Sequence, residues 1–380
     1  MTDKNRMVWL DSLRLWAGVS MVGLHASSDI NGQPFPGFSE IERIGPVLFR
    51  AIVYTARTEL FLIISLFLLI MSLDRRARSY DLTIKEQSRR LLVPFAFWVV
   101  FFAFYRLIKA SYFGYADHIW AELSNPVEWI SYFILGSVQY HMHFLPTLFG
   151  LVLLYPLYQI AVNRPWLGLV VLMCLFTKRE IDLWIWAQFA DFEWFGYLLR
   201  SVKILTYAGY GIVAASFYGL YRNGMDAELR KAFLLSAAFL AVLMFSIKLV
   251  YSHKVILTAN WQYNYDPAFW ADFLMPICLF LLFMCASPSR FPPILSKLAP
   301  YSFGIYLVHP IFLDLLEIAF WDQKLSPSLF VATKTLLGII AASALTYGLS
   351  RSLWLGWTVG LGPLPSFGSI KRKNLIEEKT

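Results

Sequence analysis

The sequence predicts an all-α, polytopic integral membrane protein with about ten transmembrane helices. The chain has a mean hydropathy of +0.55. Only 15% of its residues are charged, whereas soluble domains carry about 25%. Apolar stretches of roughly 18 or more residues recur along the chain, and each is long enough to cross a hydrocarbon core of about 30 Å as a helix. Together these observations argue against a soluble domain.

Ten apolar stretches are the predicted spans. Many of the 14 Trp and 20 Tyr residues fall at their ends, where membrane interfaces favour such rings. The fifth stretch is the weakest, because its apolar part is short and three charged residues follow it. In chain order the predicted spans are residues 8–26, 50–72, 91–110, 143–162, 166–180, 204–221, 231–250, 267–286, 301–320 and 329–350.

The distribution of basic residues predicts the orientation of the chain. The formal net charge is +8, and most basic residues lie in short segments between spans, which favours lipid orientation over nucleic-acid binding. With ten spans and both termini in the cytoplasm, most of these residues fall on the inner side, as expected. A basic cluster on the predicted outer side is the exception, and it would be explained if the fifth span were assigned wrongly. This outer basic cluster consists of Lys178, Arg179, Arg200 and Lys203.

A single membrane-embedded domain is predicted over residues 1–365, because no soluble domain, internal repeat or low-complexity segment interrupts the chain. The polar, basic residues 366–380 are expected to form a cytoplasmic tail. The three cysteines, Cys174, Cys278 and Cys285, lie in apolar stretches without metal-ligand spacing. Neither a disulfide framework nor a metal site is therefore expected.

The first predicted span carries two residues that are costly inside a membrane, Arg14 and His25. They are eleven residues apart, so helical rotation places them within about 20° of one face and roughly 16 Å apart along the axis. An arginine within a span costs at least about 2.5 kcal/mol unless it is paired or faces water. Asp11 lies one turn before Arg14 and either pairs with it or reaches the headgroups. The shared polar face predicts a cavity.

Five blocks of the sequence resemble the acyltransferase-3 family of membrane-bound O-acyltransferases, which acetylate or succinylate surface polysaccharides and related glycans. Arg14, ten intervening residues and His25 are similar to the family's Arg-x10-His signature. The sequence departs from the family pattern at Leu66, where glycine is usual, and at His143, where tryptophan is usual. The other four blocks follow in the family's order and extend the resemblance over most of the chain: residues 57–65, 89–94, 140–146 and 302–310.

The resemblance implies that His25 is the catalytic residue that takes the proton of a sugar hydroxyl. Histidine suits this role because its unperturbed pKa is near 6.5. Direct action on the sugar and a covalent acyl-histidine both stay open. Arg14 is expected nearer the cytoplasm, where its guanidinium binds donor phosphates or organises the cavity. Acyl-CoA is the expected donor substrate, and no bound cofactor is expected.

The resemblance also implies the partners: acyl-CoA, a glycan or polysaccharide acceptor on the outer side, and membrane lipid. A homo-oligomer is left open, and no nucleic acid is expected. The implied location is a bacterial inner membrane. Acetyl is the commoner donor group in the family, and succinyl is open because periplasmic-glucan succinyltransferases belong to it. A succinyl pocket needs a further cation, for which Arg57 is one candidate.

The other candidate residues each carry a structural alternative. Arg89 and Arg90 lie at the predicted cytoplasmic interface, where they either clamp the CoA diphosphate or anchor the helix. The spacing of Arg57 and Glu59 on a helix argues against a direct pair. Each is expected to bridge to a neighbouring helix, and Glu59 to contact Arg14 or line the donor passage. Five residues are expected on the acceptor side or in helix packing: Tyr140, His141, His143, Tyr306 and His309.

Two other classes of protein stay open. A transporter or flippase of an acyl or glycan substrate would also place Arg, Glu and His inside the membrane. The internal symmetry common in transporters is, however, not found in this sequence. A sensor or assembly protein would not require a polar face on the first helix.

Overall fold

A computed structural model describes residues 7–261, 266–286, 291–321, 323 and 325–364, and these residues form helices and connecting segments without a strand. The all-α prediction is confirmed for them, whereas the predicted tail at 366–380 lies outside them. The helices are α1 (Val8–Ala26), α2 (Glu40–Val53), α3 (Thr58–Arg75), α4 (Tyr80–Phe113), α5 (Ala116–Ser124), α6 (Pro126–Leu135), α7 (Phe144–Leu153), α8 (Tyr155–Asn163), α9 (Val170–Phe189), α10 (Phe195–Asn223), α11 (Ala227–Thr258), α12 (Asp266–Cys285), α13 (Ile294–Leu298), α14 (Ser302–Ala319) and α15 (Pro327–Arg351).

Each of the ten predicted spans falls on a helix or a pair of helices, but the count of ten is not confirmed. Within the described residues, six helices are long and apolar enough to cross a membrane, one of them formed by α2 and α3 together. The bent pair of α7 and α8, which meet at 65°, raises the number to seven. Pro156 lies at the start of α8 and lacks the N–H that would continue α7. The charged residues of α1 and α9 lower the mean hydropathy of these two helices, and neither is among the six candidate spans. Helix α10 is not among them either.

Helix α1 lies at the centre of the bundle. It packs against α2, α3, α12, α13, α14 and α15, and the side chains of Leu13, Ala17 and Val22 are fully buried. Its neighbour α14 approaches α15 closely because Gly304 has no side chain. A Cβ at Gly304 would come within 2.3 Å of Cγ2 of Thr346. Small residues at such contacts allow membrane helices to approach each other, and here Gly304 lets α14 pack directly on α15.

The segment after α15 turns back into the bundle. A short 3-10 helix, Gly356–Val359, follows α15, and the Trp98 indole on α4 donates to the carbonyl of Thr358 at 2.8 Å. Gly360 then adopts φ +72°, a left-handed conformation that favours glycine. This turn keeps residues 359–361 against the interior, where they form part of the cavity described below.

The predicted outer basic cluster is explained by packing inside the bundle. Lys178 lies on α9, where it is buried, pairs with Asp182 and sits over the ring of Tyr207 at 5.8 Å. Arg200 on α10 donates to the carbonyls of Leu135 and His143, both at 2.6 Å. These cations hold helices together, so their number carries little information about which side of a membrane they occupy.

Four charged side chains form a buried network between α4, α14 and α15. Lys109 contacts Asp314 at 2.9 Å and also pairs with Glu317. Glu317 accepts a second ion pair from Lys334, whose side chain is fully buried. Lys334 also reaches the carbonyl of Ser28 at 3.4 Å, three residues after His25. Because Asp314, Glu317 and Lys334 are buried, removing one partner leaves another buried charge uncompensated.

Replacing Lys334 with methionine is expected to destabilise the protein by about 3–5 kcal/mol, the usual effect of breaking a buried ion pair. Thermal unfolding of the detergent-solubilised protein, followed by tryptophan fluorescence, measures the shift. The double variant Lys334→Met/Glu317→Gln should recover much of the loss, because Lys109 keeps Asp314. Lys297→Met, on the exposed side of α13, is the control. Equal unfolding midpoints for Lys334→Met and the wild type would contradict this account.

Candidate active site

The structure places Arg14 and His25 on one continuous helix, α1. Asp11 and Arg14 form an ion pair at 3.9 Å, as their spacing predicts. Eleven residues of helix separate Arg14 from His25 by roughly 16 Å, so the two residues belong to two different environments. Arg14 faces a cavity, whereas His25 belongs to a cluster of aromatic and histidine rings.

The cavity at Arg14, here named the Arg14 cavity, has a volume of about 280 Å³. It extends along α3 from Ser72 to Phe61, which is roughly 16 Å of helix. Arg90 lines it together with Arg14, and residues 359–361 of the C-terminal segment complete its wall. Its polar lining is made of Arg14, Ser65, Ser72, Gln87, Arg90 and Ser302. Two cations in one cavity suit a phosphate-bearing ligand.

Three aromatic rings close the Arg14 cavity at its Phe61 end. The ring centroids of Phe61, Phe144 and Tyr306 lie 5.5–6.0 Å from one another. The hydroxyl of Tyr306 donates to the backbone carbonyl of His141. We name these three rings the aromatic plug. They form the boundary between the Arg14 cavity on one side and the histidine rings on the other.

The histidine cluster lies on the other side of the aromatic plug from the Arg14 cavity, and Tyr306 belongs to both groups. It consists of His25, Tyr140, His141, Tyr306 and His309. His25 stacks on Tyr140 and His309, with centroids 4.3 Å and 5.4 Å away. His141 lies 5.2 Å from both His309 and Tyr306. The sequence predicts His141 near a surface, but the structure buries it almost completely. Four of the five residues predicted for the acceptor side thus lie in one cluster with His25, and two of them, Tyr140 and His309, contact its ring directly.

Pro310 explains how His309 is oriented. Proline has no N–H, so within α14 it leaves the carbonyl of Tyr306, four residues earlier, without its helical partner. Nδ1 of His309 lies 2.7 Å from that carbonyl oxygen. Because a carbonyl only accepts hydrogen bonds, Nδ1 carries the hydrogen and Nε2 keeps its lone pair. The Ile-Tyr-Leu-Val-His-Pro sequence therefore fixes the orientation of the His309 ring, with Nδ1 as a hydrogen-bond donor to Tyr306.

Three ring nitrogens of the cluster are buried and have no hydrogen-bond partner among the residues that the structure describes: Nε2 of His25, Nε2 of His309 and Nδ1 of His141. Nε2 of His141 lies 3.3 Å from the carbonyl of Leu307, which leaves Nδ1 as an acceptor in the same way. Buried polar atoms normally have partners, so three such atoms in one cluster indicate a place for hydroxyl groups of a ligand. Among the described residues, no three histidine, cysteine or carboxylate side chains are grouped as metal ligands.

Arg50 is a site residue that the sequence reasoning missed. Its Nη1 donates to the carbonyl of Leu24 and to the hydroxyl of Ser27, both at 3.1 Å. A cation at the carboxyl end of a helix is stabilised by the helix dipole, and this one closes the turn that carries His25. The sequence feature that could have identified Arg50 is its position at the edge of an apolar stretch, which is also the position of Arg14.

Arg57 and Glu59 form a direct ion pair at 3.1 Å, so the prediction that they do not pair is wrong. The prediction assumed that both residues lie within the helix. Arg57 is instead the cap that precedes α3, with extended backbone angles of φ −67° and ψ 175°, so helical spacing does not apply to it. Arg57 also pairs with Asp272 at 3.4 Å, and Tyr207 donates to Glu59 at 2.6 Å.

The remaining predicted residues lie apart from both environments. Arg57 and Glu59, which is buried, do not belong to the described lining of the Arg14 cavity, and neither does Arg89. Arg90, the residue after Arg89, does line the Arg14 cavity. His143 caps the start of α7 and contacts the carbonyl of Tyr140 at 2.8 Å. It supports the loop that carries Tyr140 and His141, but it does not stack on His25.

Comparison with known proteins identifies a family over most of the chain. A family model described as an acyltransferase domain, of the acyltransferase-3 type, matches residues 7–354. The match includes α1 to α15 in full and both the Arg14 cavity and the histidine cluster, apart from the C-terminal segment at 359–361. Comparisons with curated proteins and with solved structures give no match.

Proposed function

The chain belongs to the acyltransferase-3 family, and from this we propose that it is a membrane O-acyltransferase that moves an acetyl or succinyl group from a cytoplasmic acyl-CoA to a hydroxyl of an envelope or periplasmic glycan. We place it in a bacterial inner membrane with ten spans and both termini in the cytoplasm. The observation that carries the proposal is the unpartnered Nε2 of His25 at one end of α1, with the Arg14 cavity at the other.

The donor enters the Arg14 cavity in this proposal. Arg14 and Arg90 hold phosphates of CoA, because guanidinium groups form strong charge-assisted bonds to phosphate oxygens. The acyl end points along α3 to the aromatic plug. That end of the cavity is lined by Phe61, Phe144 and Tyr306, and a distal carboxylate there would be buried among apolar groups, which is costly. Arg57, the candidate cation for succinyl, is not in the lining. Acetyl is therefore the favoured donor group.

The acceptor hydroxyl meets the thioester at His25. Its oxygen bonds to the acyl carbon, the bond from that carbon to the CoA sulfur breaks, and the hydroxyl proton passes through Nε2 of His25 to the departing thiolate. Transfer through an acyl-histidine uses the same nitrogen and remains the alternative route. The lone pairs on His141 and His309 accept hydrogen bonds from other sugar hydroxyls. Tyr140, beside His25, is the proposed donor to the carbonyl oxygen.

The purified protein in proteoliposomes tests the function directly. Acetyl-CoA labelled in the acetyl group is supplied on one side and an envelope glycan extract on the other, and the alkali-labile ester on the glycan is measured. We expect ester formation and a released thiol in equal amounts. Label that accumulates in the lumen without an ester would instead indicate a transporter. Succinyl-CoA in a parallel reaction decides between the two donors.

Tyr306→Phe is expected to lower the transfer rate by a factor of roughly 2–12, because it removes one neutral hydrogen bond. The ring stays, but its bond to the carbonyl of His141 is lost, so the aromatic plug is less firmly closed. Water then reaches the thioester, and acyl-CoA hydrolysis without acceptor should rise relative to transfer. Tyr158→Phe is the matched control, because Tyr158 is buried in α8 and its hydroxyl has no partner. An unchanged ratio of hydrolysis to transfer in Tyr306→Phe would contradict the role of the plug.

A further inference from the structure

A groove lies between α10 and α11, and it shares no described lining residue with the Arg14 cavity. Helix α11 packs on α2 and α12, and α10 packs on α3, α8 and α9, but α10 and α11 are not closely packed against each other. The space left between them has a volume of about 580 Å³. We name it the α10–α11 groove. The lining residues used in the argument are Trp166, Ser216, Leu220, Phe233, Ser236 and Met244.

The side chains that line the α10–α11 groove are apolar, apart from the serines Ser216 and Ser236. The hydroxyl of Ser216 donates to the carbonyl of Ile212 at 2.9 Å, so it needs no partner from the groove. Water is a poor occupant, because a buried water needs about 2–4 polar partners. Helix α11 is the least buried of the candidate spans, which leaves the groove next to lipid. A hydrocarbon chain is therefore the occupant that fits.

The length of the groove matches one leaflet of a membrane. The groove follows α11 from Phe233 to Met244, and eleven residues of helix correspond to roughly 16 Å. This is about half of a hydrocarbon core of roughly 30 Å. The lipid chains of one leaflet fill the same depth, so the groove is long enough for one acyl chain and does not cross the membrane.

One end of the groove lies where α10 ends and α11 begins, at Leu220 and Phe233. Trp166, whose side chain is 65% exposed, lies at this end, because Gly168 two residues later packs against Ser216 of α10. Tryptophan is enriched at membrane–water interfaces. This end therefore lies at the membrane surface, where a lipid headgroup would be, and the end at Met244 lies at the depth of the acyl chains.

Arg230 lies at the surface end of the groove, one turn before its lining begins on α11. Nε of Arg230 donates to the carbonyl of Cys285 at 2.8 Å, and Nη2 donates to the carbonyl of Ala286 at 2.5 Å. Asp226, the carboxylate one turn earlier, instead caps α11 by accepting from the N–H of Leu229 at 2.7 Å. In the described part of the chain Arg230 is thus bonded to neutral carbonyls, and three of its five N–H donors remain. Guanidinium groups form strong bonds to phosphate oxygens.

We propose that the α10–α11 groove binds one acyl chain of an anionic phospholipid, with the lipid phosphate on Arg230. The surface end of the groove is on the Arg14 side of the bundle, because the ring of Tyr221 at the end of α10 lies 6.2 Å from the ring of Trp9 in the first turn of α1. In the orientation proposed above this side is cytoplasmic, where anionic lipids attract basic residues. The inference does not depend on acyl transfer, since no residue proposed for the chemistry lines the groove.

The binding test uses the full chain in dodecyl maltoside micelles. Dioleoyl phosphatidylglycerol is the probe, and dioleoyl phosphatidylcholine, which has the same chains and no net charge, is the control. Native mass spectrometry gives the dissociation constant for each lipid. Phosphatidylglycerol should bind about fivefold tighter, the usual contribution of one basic residue near an anionic leaflet. Arg230→Gln should abolish this preference, whereas Arg351→Gln, exposed at the end of α15, should keep it.

A second variant tests the acyl chain separately from the headgroup. Ser236→Phe fills the groove and should weaken the binding of both lipids by roughly 5- to 150-fold, the usual cost of overpacking. Ala232→Phe is the matched control and should bind both lipids as the wild type does, because Ala232 is exposed on α11 outside the described lining. All variants are first compared with the wild type by size-exclusion chromatography.

Three results would overturn the proposal. The first is equal binding of the two lipids by the wild type, and the second is retention of the preference by Arg230→Gln. The third is unchanged lipid binding by a well-folded Ser236→Phe protein. A stable dimer in light scattering that Ser236→Phe dissociates would also count against it, because a second copy of the chain would then fill the groove. None of these results bears on ester formation, so the proposed function stands or fails separately.

Discussion

His25→Ala is expected to lower acyl transfer by roughly 100- to 10,000-fold, the usual contribution of a positioned acid–base group. The unpartnered Nε2 is lost, and no other side chain of the cluster occupies its place at the end of α1. The KM for acyl-CoA should change little, because the donor phosphates bind about 16 Å away at Arg14. The measurement is the initial rate of ester formation in proteoliposomes at several donor concentrations.

The control for His25→Ala is His118→Gln, because His118 is a histidine whose side chain is 72% exposed. Its variant should transfer acyl groups at the wild-type rate. Both variants are first compared by size-exclusion chromatography and thermal unfolding, so that a folding defect is not mistaken for lost chemistry. A well-folded His25→Ala protein that retains a tenth or more of the transfer rate would refute the catalytic role.

Arg14→Gln is expected to raise the KM for acyl-CoA by a factor of roughly 10–150, which corresponds to the loss of one charge-assisted hydrogen bond. Its effect on kcat should be smaller, because the proposed binding mode places Arg14 far from the reacting carbon. The ratio of the variant's KM to the wild-type KM should fall as the salt concentration rises, since ionic screening already reduces the attraction of the wild-type protein for phosphate. Steady-state rates at low and high ionic strength measure both effects.

Arg164→Gln is the matched control for Arg14→Gln, because Arg164 is exposed between α8 and α9. Its KM should equal that of the wild type at both salt concentrations. Arg14 also pairs with Asp11, and a purely structural role for that pair predicts another result. In that case Arg14→Gln would lower the unfolding temperature while the KM of the folded protein stays unchanged, and the donor-binding role would be wrong.

Much of the fold was predictable because membrane helices leave a strong local signal. The all-α class and the position of each apolar helix follow from stretches of hydrophobic residues. The number of membrane spans was less predictable. Helices α1 and α10 each pack against several other helices, so they tolerate polar residues that weaken the same signal. The break between α7 and α8 could be anticipated from Pro156, but its angle of 65° depends on packing.

The predicted contacts between residues close in sequence depended on where the helices begin. The pair of Asp11 and Arg14 lies within one turn of α1, and the structure contains it. Arg57 and Glu59 are even closer in sequence, yet the prediction for them was wrong because α3 begins only at Thr58. Because Arg57 lies one residue before the start of α3, its side chain is not held on the helix face opposite Glu59, and the two can form an ion pair. Boundaries of this kind depend on capping and tertiary contacts.

The sequence by itself determined that α1 carries Arg14 and His25 on one face at a fixed distance, because helix geometry is set by hydrogen bonds between residues four apart. Only the tertiary structure decided which side chains surround them. His141 and His309 are far from His25 in the chain and reach it through the packing of α7, α14 and α1. Arg50 reaches it from α2. Such contacts depend on the fit of many side chains between helices, and no local pattern in the sequence encodes that fit.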